Sequence, residues 1–123
     1  MIEDNIIKGG LREKKLFKES TEDKPLISII TPIFNNDKYL QECLDSLHIQ
    51  AYSNYEHIII DGGSTDKTLD IIKNNEKKID FWISKKDGGI YDAFNNGMNF
   101  AKGDIIGFLN SDDLYYSDQT LNY

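Results

Sequence analysis

The run Ile105-Ile106-Gly107-Phe108-Leu109, opened by Gly103-Asp104 and closed by Asn110-Ser111-Asp112-Asp113, has the length and composition of a buried β-strand. Asn, Ser and Asp are good turn residues, so taken alone the closing tetrapeptide could be no more than an exposed turn. However, two adjacent carboxylates at the carboxyl end of a buried strand stand where open α/β sheets bind ligands. At neutral pH they repel one another, and a divalent cation is the simplest positive companion.

Read outward from that strand, the chain alternates strand and helix. Leu26–Ile33 is a β-branched apolar run interrupted by Thr31-Pro32, and Asn36 or Asp37 is the expected N-cap of a helix. Tyr39, Leu40, Cys43, Leu44 and Leu47 then recur at helical spacing to about Ile49. Tyr55–Ile60 reads as the second strand and ends at Asp61; Gly62-Gly63 turns into a helix capped by Ser64, Thr65 or Asp66. Phe81-Trp82-Ile83 is a short third strand. Asp87-Gly88-Gly89 leads into a helix from Ile90 to Lys102, with Ile90, Phe94, Gly97, Met98 and Ala101 on its apolar face. This order predicts an α/β fold with a mostly parallel sheet, right-handed crossovers and flanking helices. Residues 1–24 are polar and aperiodic and read as a leader arm; the ordered body is expected over 25–123, from Pro25.

Three polar groups lie just after predicted strands, the edge where this architecture places its sites. Thr31-Pro32-Ile33-Phe34-Asn35-Asn36 offers rigid backbone against which a flat nucleobase can lie, although a strand-to-helix turn with an Asn cap explains it equally. In Asp61-Gly62-Gly63-Ser64-Thr65-Asp66 the glycines allow close backbone approach before a helix N-terminus. An acid at Asp66 suits the helix dipole without any function. Asp61, directly off a buried strand, is costly unless it accepts hydrogen bonds. Asp92, Asn95 and Asn99 form a polar stripe on the third helix, which is either a solvated face or a site wall entered through Asp87.

Composition removes several classes of function. The 123-residue chain carries a net charge of −7, which argues against nucleic acid as a partner. The charge is uneven: residues 1–26 hold six basic and six acidic side chains, whereas 27–123 hold eight against fifteen. An acidic body that binds phosphate therefore calls on a metal or helix N-termini. The single cysteine, Cys43, excludes an intrachain disulfide and falls on a helical apolar face, as an inert thiol does. His48 and His57 read as structural. No Ser/His/Asp or Cys/His set, zinc cluster, P-loop or dinucleotide fingerprint is present. No apolar stretch approaches the ~20 residues of a membrane span and no signal-peptide core is visible, so a cytoplasmic protein is expected.

The motifs Ile27-Ser28-Ile29-Ile30-Thr31-Pro32-Ile33-Phe34-Asn35, Ile60-Asp61-Gly62-Gly63-Ser64-Thr65-Asp66 and Asn110-Ser111-Asp112-Asp113 together resemble family 2 glycosyltransferases of the GT-A fold. Asp87-Gly88-Gly89-Ile90-Tyr91-Asp92-Ala93-Phe94-Asn95-Asn96-Gly97, with Gly9-Gly10-Leu11-Arg12, is similar to a bacterial branch that builds cell-surface polysaccharide. The resemblance implies a metal-dependent, inverting transfer from a nucleotide-sugar donor, UDP-linked in preference, to a saccharide or lipid-linked acceptor. It places Asp61 and Pro32 at the nucleobase, and Asp87 and Asp92 toward ribose or donor sugar. Thr31, Asn35, Ser64, Asp66, Asn95 and Asp112 complete the implied donor site. Asp112 and Asp113 would form the DXD element that holds Mg2+ or Mn2+ against the diphosphate.

Two departures from the family pattern stand out: Asn110 where Asp is common, and glycine rather than a second acid after Asp61. Members of the family generally continue past this element into an acceptor-binding half that carries the general base, expected here beyond residue 123. The chain thus reads as the donor-binding part of a truncated domain, and the rival reading is a non-catalytic nucleotide-sugar-binding module. An incomplete sheet edge leads to the expectation of a homodimer or aggregate, and the acceptor class to contact with the inner membrane face.

Overall fold

The computed structural model describes residues 6–50, 52–86, 95 and 97–109. Its strands are β1 (Ile7–Gly9), β2 (Ile27–Ile33), β3 (Tyr55–Asp61), β4 (Phe81–Ser84) and β5 (Ile105–Phe108); its α-helices are α1 (Leu40–His48) and α2 (Thr68–Asn74). The five strands form one sheet in the order β1-β4-β3-β2-β5. β2 pairs in parallel with β3 and with β5, and β3 in parallel with β4, so all four end on the same edge. β1 alone runs antiparallel, alongside β4.

The apolar runs of β2, β3 and β4 form strands because both faces of the sheet are covered where they lie. Ile33, Leu40, Leu44, Ile59, Ile72, Ile79 and Trp82 make one cluster beneath α1 and α2. Ile27, Ile29, Cys43, Leu47 and Leu109 continue it along α1. On the opposite face Ile30, Ile58, Ile60, Phe81 and Ile83 pack against Phe100 and Ala101. Each such aliphatic side chain contributes about 1.5–3 kcal/mol when fully buried.

Proline does not interrupt β2, which runs through Pro32 in register with Ile60. Its pairing with β5 ends at Ile30–Phe108, and among the described residues the last bond to that side is Leu109 N–H to the Ile30 carbonyl. In a strand, the backbone polar groups of residues two apart point to the same neighbour, so the Pro32 nitrogen is directed at β5 just past that last pair, and its missing N–H falls where the ladder stops.

Two local expectations about the helices are corrected. α1 begins at Leu40, after a turn at residues 37–39, and its N-cap position is Tyr39 without a side-chain capping bond, so neither Asn36 nor Asp37 caps it. In the third helix, of which residue 95 and residues 97–100 are described, Met98 is half exposed and Phe100 is the residue on the core, 4.6 Å from the Phe81 ring. Gly97 lies too close to Ile30 for any Cβ, so the inward face runs through 97, 100 and 101, which turns Met98 outward.

Within 1–24, the segment read as a leader arm supplies β1 and then crosses beneath the amino edge of the sheet. Leu11 and Arg12 N–H donate to the Ile79 and Asp80 carbonyls. The Arg12 guanidinium pairs with buried Glu56 at 2.5 Å and stacks over Phe81. Glu56 also accepts from Ser28 Oγ (2.6 Å) and Lys102 N–H (2.7 Å). Lys18 Nζ reaches the Tyr55 carbonyl and Asp80. The paired glycines have steric causes: a Cβ at Gly9 would meet the Trp82 indole at 2.7 Å, and Gly10 sits at φ +102°. At the other side of the sheet β5 corrects the expectation of a buried strand: it is the last strand in the order among the described residues, so Ile105, Ile106 and Phe108 are exposed and only Leu109, just past it, is buried.

Candidate functional site: two strand-end loops locked together

The loops that follow β2 and β3 meet at the carboxyl edge and hold each other through side chains. Asn35 N–H donates to Ser64 Oγ at 2.8 Å, and Asn35 Oδ1 accepts from Thr65 N–H (2.7 Å) and Asp66 N–H (3.3 Å). Asn36 N–H donates to Thr68 Oγ1, and Asp37 N–H to Asp66 Oδ2. Asp37 Oδ2 in turn accepts from Lys67 N–H, and Asp66 Oδ1 from Thr68 N–H. Asn35 adopts φ +47°, a left-handed turn that asparagine tolerates better than most residues. Asn35 therefore satisfies amides of the turn before α2, and Asp37 the amide of Lys67, which holds the N-cap position in place of the expected Ser64, Thr65 or Asp66.

Asp61 is the centre of this lock. It is fully buried. Its Oδ2 accepts from Gly63 N–H (3.1 Å), Ser64 N–H (2.9 Å) and Ser84 Oγ (2.6 Å), and its Oδ1 accepts from Ser64 Oγ. One carboxylate thus ties the ends of β3 and β4 to the 62–64 turn, where Gly63 takes φ +90° against the Lys86 backbone. The need for hydrogen-bond donors that makes Asp61 conspicuous in the sequence is met inside the protein. Asp66, almost wholly exposed, is pushed up by what burial it has. Bonds from Thr68 and from the Asp37 amide outweigh that and hold its carboxyl below the usual range.

The other expected site residues are placed differently. Thr31 is buried, and its hydroxyl meets His57 Nε2 at 2.7 Å within the sheet, away from the edge. Burial, with the charges of His48 and Lys18, lowers the His57 pKa to about 3, so the ring is neutral. Pro32 is buried in β2, and Asn95 is exposed on the third helix. Asp87, Asp92, Asp112 and Asp113 lie outside the described residues; β5, which precedes Asp112-Asp113, ends on the same edge as Asp61.

The motif reading passed over the side chain of Phe34. It is 61% exposed, immediately after β2 and one residue before the Asn35 lock. The signal for it was a large aromatic at the first position past a buried strand, where nothing in the core requires one. Among the described residues no three His, Cys, Asp or Glu side chains converge on a metal position, and no helix is long and apolar enough to cross a membrane. The paired carboxylates Asp112-Asp113 supply hard oxygen ligands of the kind that Mg2+ and Mn2+ take.

Comparison with known proteins gives the family and the fold. The Glycosyl transferase family 2 model matches residues 28–122. A Methanococcus voltae enzyme named as a dolichyl N-acetyl-alpha-D-glucosaminyl phosphate 3-beta-D-2,3-diacetamido-2,3-dideoxy-beta-D-glucuronosyltransferase is 47% identical over 87 residues, covering 65% of this chain and 27% of that protein. Staphylococcus aureus TarS 1–349, solved in complex with UDP-GlcNAc, superposes with a TM-score of 0.69 at 31% identity, over 77% of this chain and 28% of TarS. A Pyrobaculum calidifontis mannosyltransferase solved with GDP-Man and Mn2+ shares the fold, with a TM-score of 0.74 at 22% identity, over 90% of this chain and 35% of its own. The chain spans about a third of the length of the curated relatives it matches, 30% of one and 39% of another. With the family model covering most of its length and its sheet superposing on GT-A glycosyltransferases, the chain belongs to glycosyl transferase family 2.

Proposed function

We propose that this chain forms the donor-binding part of a glycosyltransferase that passes a sugar from a nucleotide-sugar to a saccharide or lipid-linked acceptor in surface polysaccharide synthesis. The observation that carries this reading is the lock between the 34–37 and 61–68 loops, which presents exposed Phe34 beside the Asp61 turn at the carboxyl edge. An aromatic face on a rigid edge is a stacking surface for a nucleobase. UDP is the favoured nucleotide, in keeping with the UDP-GlcNAc bound by TarS. Asp87, Asp92 and Asn95 are assigned to the ribose and sugar side of the donor, and Asp112 and Asp113 to Mg2+ or Mn2+.

The metal, when bound, offsets the charge of the departing nucleoside diphosphate. The protein's own part is to hold the base against Phe34 while Asp61, Ser64 and Asn35 keep the edge rigid. Transfer is assigned as inverting, with a general base supplied from beyond residue 123. The protein is assigned to the cytoplasm and the inner membrane face, and the exposed apolar residues of β5 to a homodimer contact, which a purely monomeric sedimentation profile would rule out.

Calorimetric titration of UDP, GDP and dTDP, with Mn2+ and with EDTA, tests the donor site. Metal-dependent binding that disappears in Asp113→Ala is the expected result. Binding of none of the three would overturn the reading. A second reading, a nucleotide-sugar-binding module without turnover, shares this result and differs only in yielding no sugar transfer.

A further inference from the structure

A cleft of about 280 Å3 opens at the amino edge of the sheet, opposite the donor loops. Its walls come from three separate segments: the 3-10 turn Leu11–Lys14, the end of α2, and the 3-10 turn Glu76–Lys78. Each segment contributes one exposed lysine, namely Lys14, Lys73 and Lys77. The ion pairs among the described residues are Arg12–Glu56 and Lys18–Asp80, and they use none of these three. The one acid in the lining, Glu76, is already engaged, its Oε2 accepting from Gly10 N–H (3.2 Å) and Trp82 Nε1–H (2.8 Å).

Lys73 has a local explanation, since it lies in the last turn of α2 and complements the carbonyl end of the helix dipole. That effect fades within a turn and does not account for Lys14, which arrives from a part of the chain distant in sequence. Three like charges held around one concavity raise each other's free energy, and a concave wall focuses the field they share. In a chain of net charge −7 such a local excess of positive charge is out of keeping with the rest of the surface.

We propose that this cleft binds a small phosphate-bearing anion. Lysine binds phosphate as a flexible point charge, and three from different directions can surround one tetrahedral group. The volume falls just below the ~300–1,000 Å3 of sites for drug-sized molecules, which suits a phosphate ester or a diphosphate. The source is a soluble compound rather than a lipid headgroup: a membrane lying on the amino edge would turn the Phe34 and Asp61 edge away from that surface. The site does not depend on the donor-binding reading, because its residues and its edge of the sheet are different; the choice of a soluble source does rest on that reading.

The test is a 1H–15N shift titration of the full chain with inorganic phosphate and with pyrophosphate, against sodium chloride at matched ionic strength. Saturable shifts are expected at the Gly10, Leu11, Asn74 and Lys77 amides, with the Ser64 and Thr65 amides unmoved. Lys14→Glu/Lys77→Glu should weaken the affinity at least tenfold while keeping a dispersed spectrum, as both side chains are exposed. Sedimentation with phosphatidylglycerol vesicles and with phosphatidylcholine vesicles separates the sources. Pyrophosphate saturation without vesicle retention supports a soluble ligand. Retention on phosphatidylglycerol alone, lost in the double variant, keeps the phosphate site but overturns the soluble source. Shifts equal to those in sodium chloride, with no retention, overturn the site.

Discussion

Asn35 and Ser64, from loops that follow different strands, are joined by a 2.8 Å bond from the Asn35 amide to Ser64 Oγ, and the same hydroxyl passes its proton toward Asp61. The backbone of one loop is thus fixed by a side chain of the other, and the reverse holds through Asn35 Oδ1. Replacing Asn35 should separate backbone from side-chain effects. Asn35→Gly keeps access to φ +47° but loses the two amide bonds, whereas Asn35→Ala loses both features. We expect urea unfolding to show a loss of about 1–2 kcal/mol for the glycine variant and a larger one for alanine. Equal losses would mean that the left-handed turn carries no strain.

Asp61→Asn tests the centre of the lock. The amide nitrogen would face one of the hydroxyl or amide donors that the carboxylate now accepts, from Gly63, Ser64 and Ser84. Hydrogen bonds to a charged group contribute about 1.5–3 kcal/mol each, so a thermal melt should show a fall of several degrees even before any ligand is added. Ser84→Ala removes a single donor and should cost less.

The buried pair of Arg12 and Glu56 predicts that the N-terminal strap matters to the whole sheet. Arg12→Met leaves the Glu56 carboxylate in the interior with only Ser28 Oγ and the Lys102 amide as donors. Breaking a buried pair in this way costs about 3–5 kcal/mol. A denaturant midpoint close to that of the parent would show that water reaches Glu56.

Stability should decline in acid because of His57. Its folded pKa of about 3 lies below the ordinary value of 6.5, so between those limits the unfolded chain binds a proton that the folded chain does not. Stability is therefore full above pH 6.5 and falls with decreasing pH, by about 1 kcal/mol per pH unit at the steepest. His48, lowered first by burial and then by Lys78, adds an effect of the same sign. Unfolding curves of His57→Gln measured across this range should be flatter than those of the parent.

The strands β2 to β5 were legible because each is an apolar run, although burial holds only β2, β3 and β4 while β5 stays largely exposed. β1 was not, since Ile7-Lys8-Gly9 carries no period and is held by partners far along the chain, Trp82 and Ser84 among them. That β2 to β5 end on one edge followed from the strand–helix order. The division of labour within it did not: Asn35, Ser64, Asp66 and Asp61 have the composition of ligand-binding residues and spend it on one another. Side-chain chemistry names what a residue can bond to, and only the meeting of two loops determines which partner it finds. Phe34 shows the converse, since an apolar residue past a strand draws little notice until the structure leaves it uncovered.

The strap also bears on the order in which the chain acquires its structure during synthesis. Gly10 finds its acceptor in Glu76, 66 positions later, and Ile7 pairs with Ser84. At about 5–20 residues per second, the first strand emerges from the ribosome several seconds before its neighbour exists. The β2–β3 pair, with α1 between, can assemble in that interval from contacts close in sequence. A segment made before β2 is then fastened after it, and until β4 arrives β1 lacks its pairing partner and is open to others.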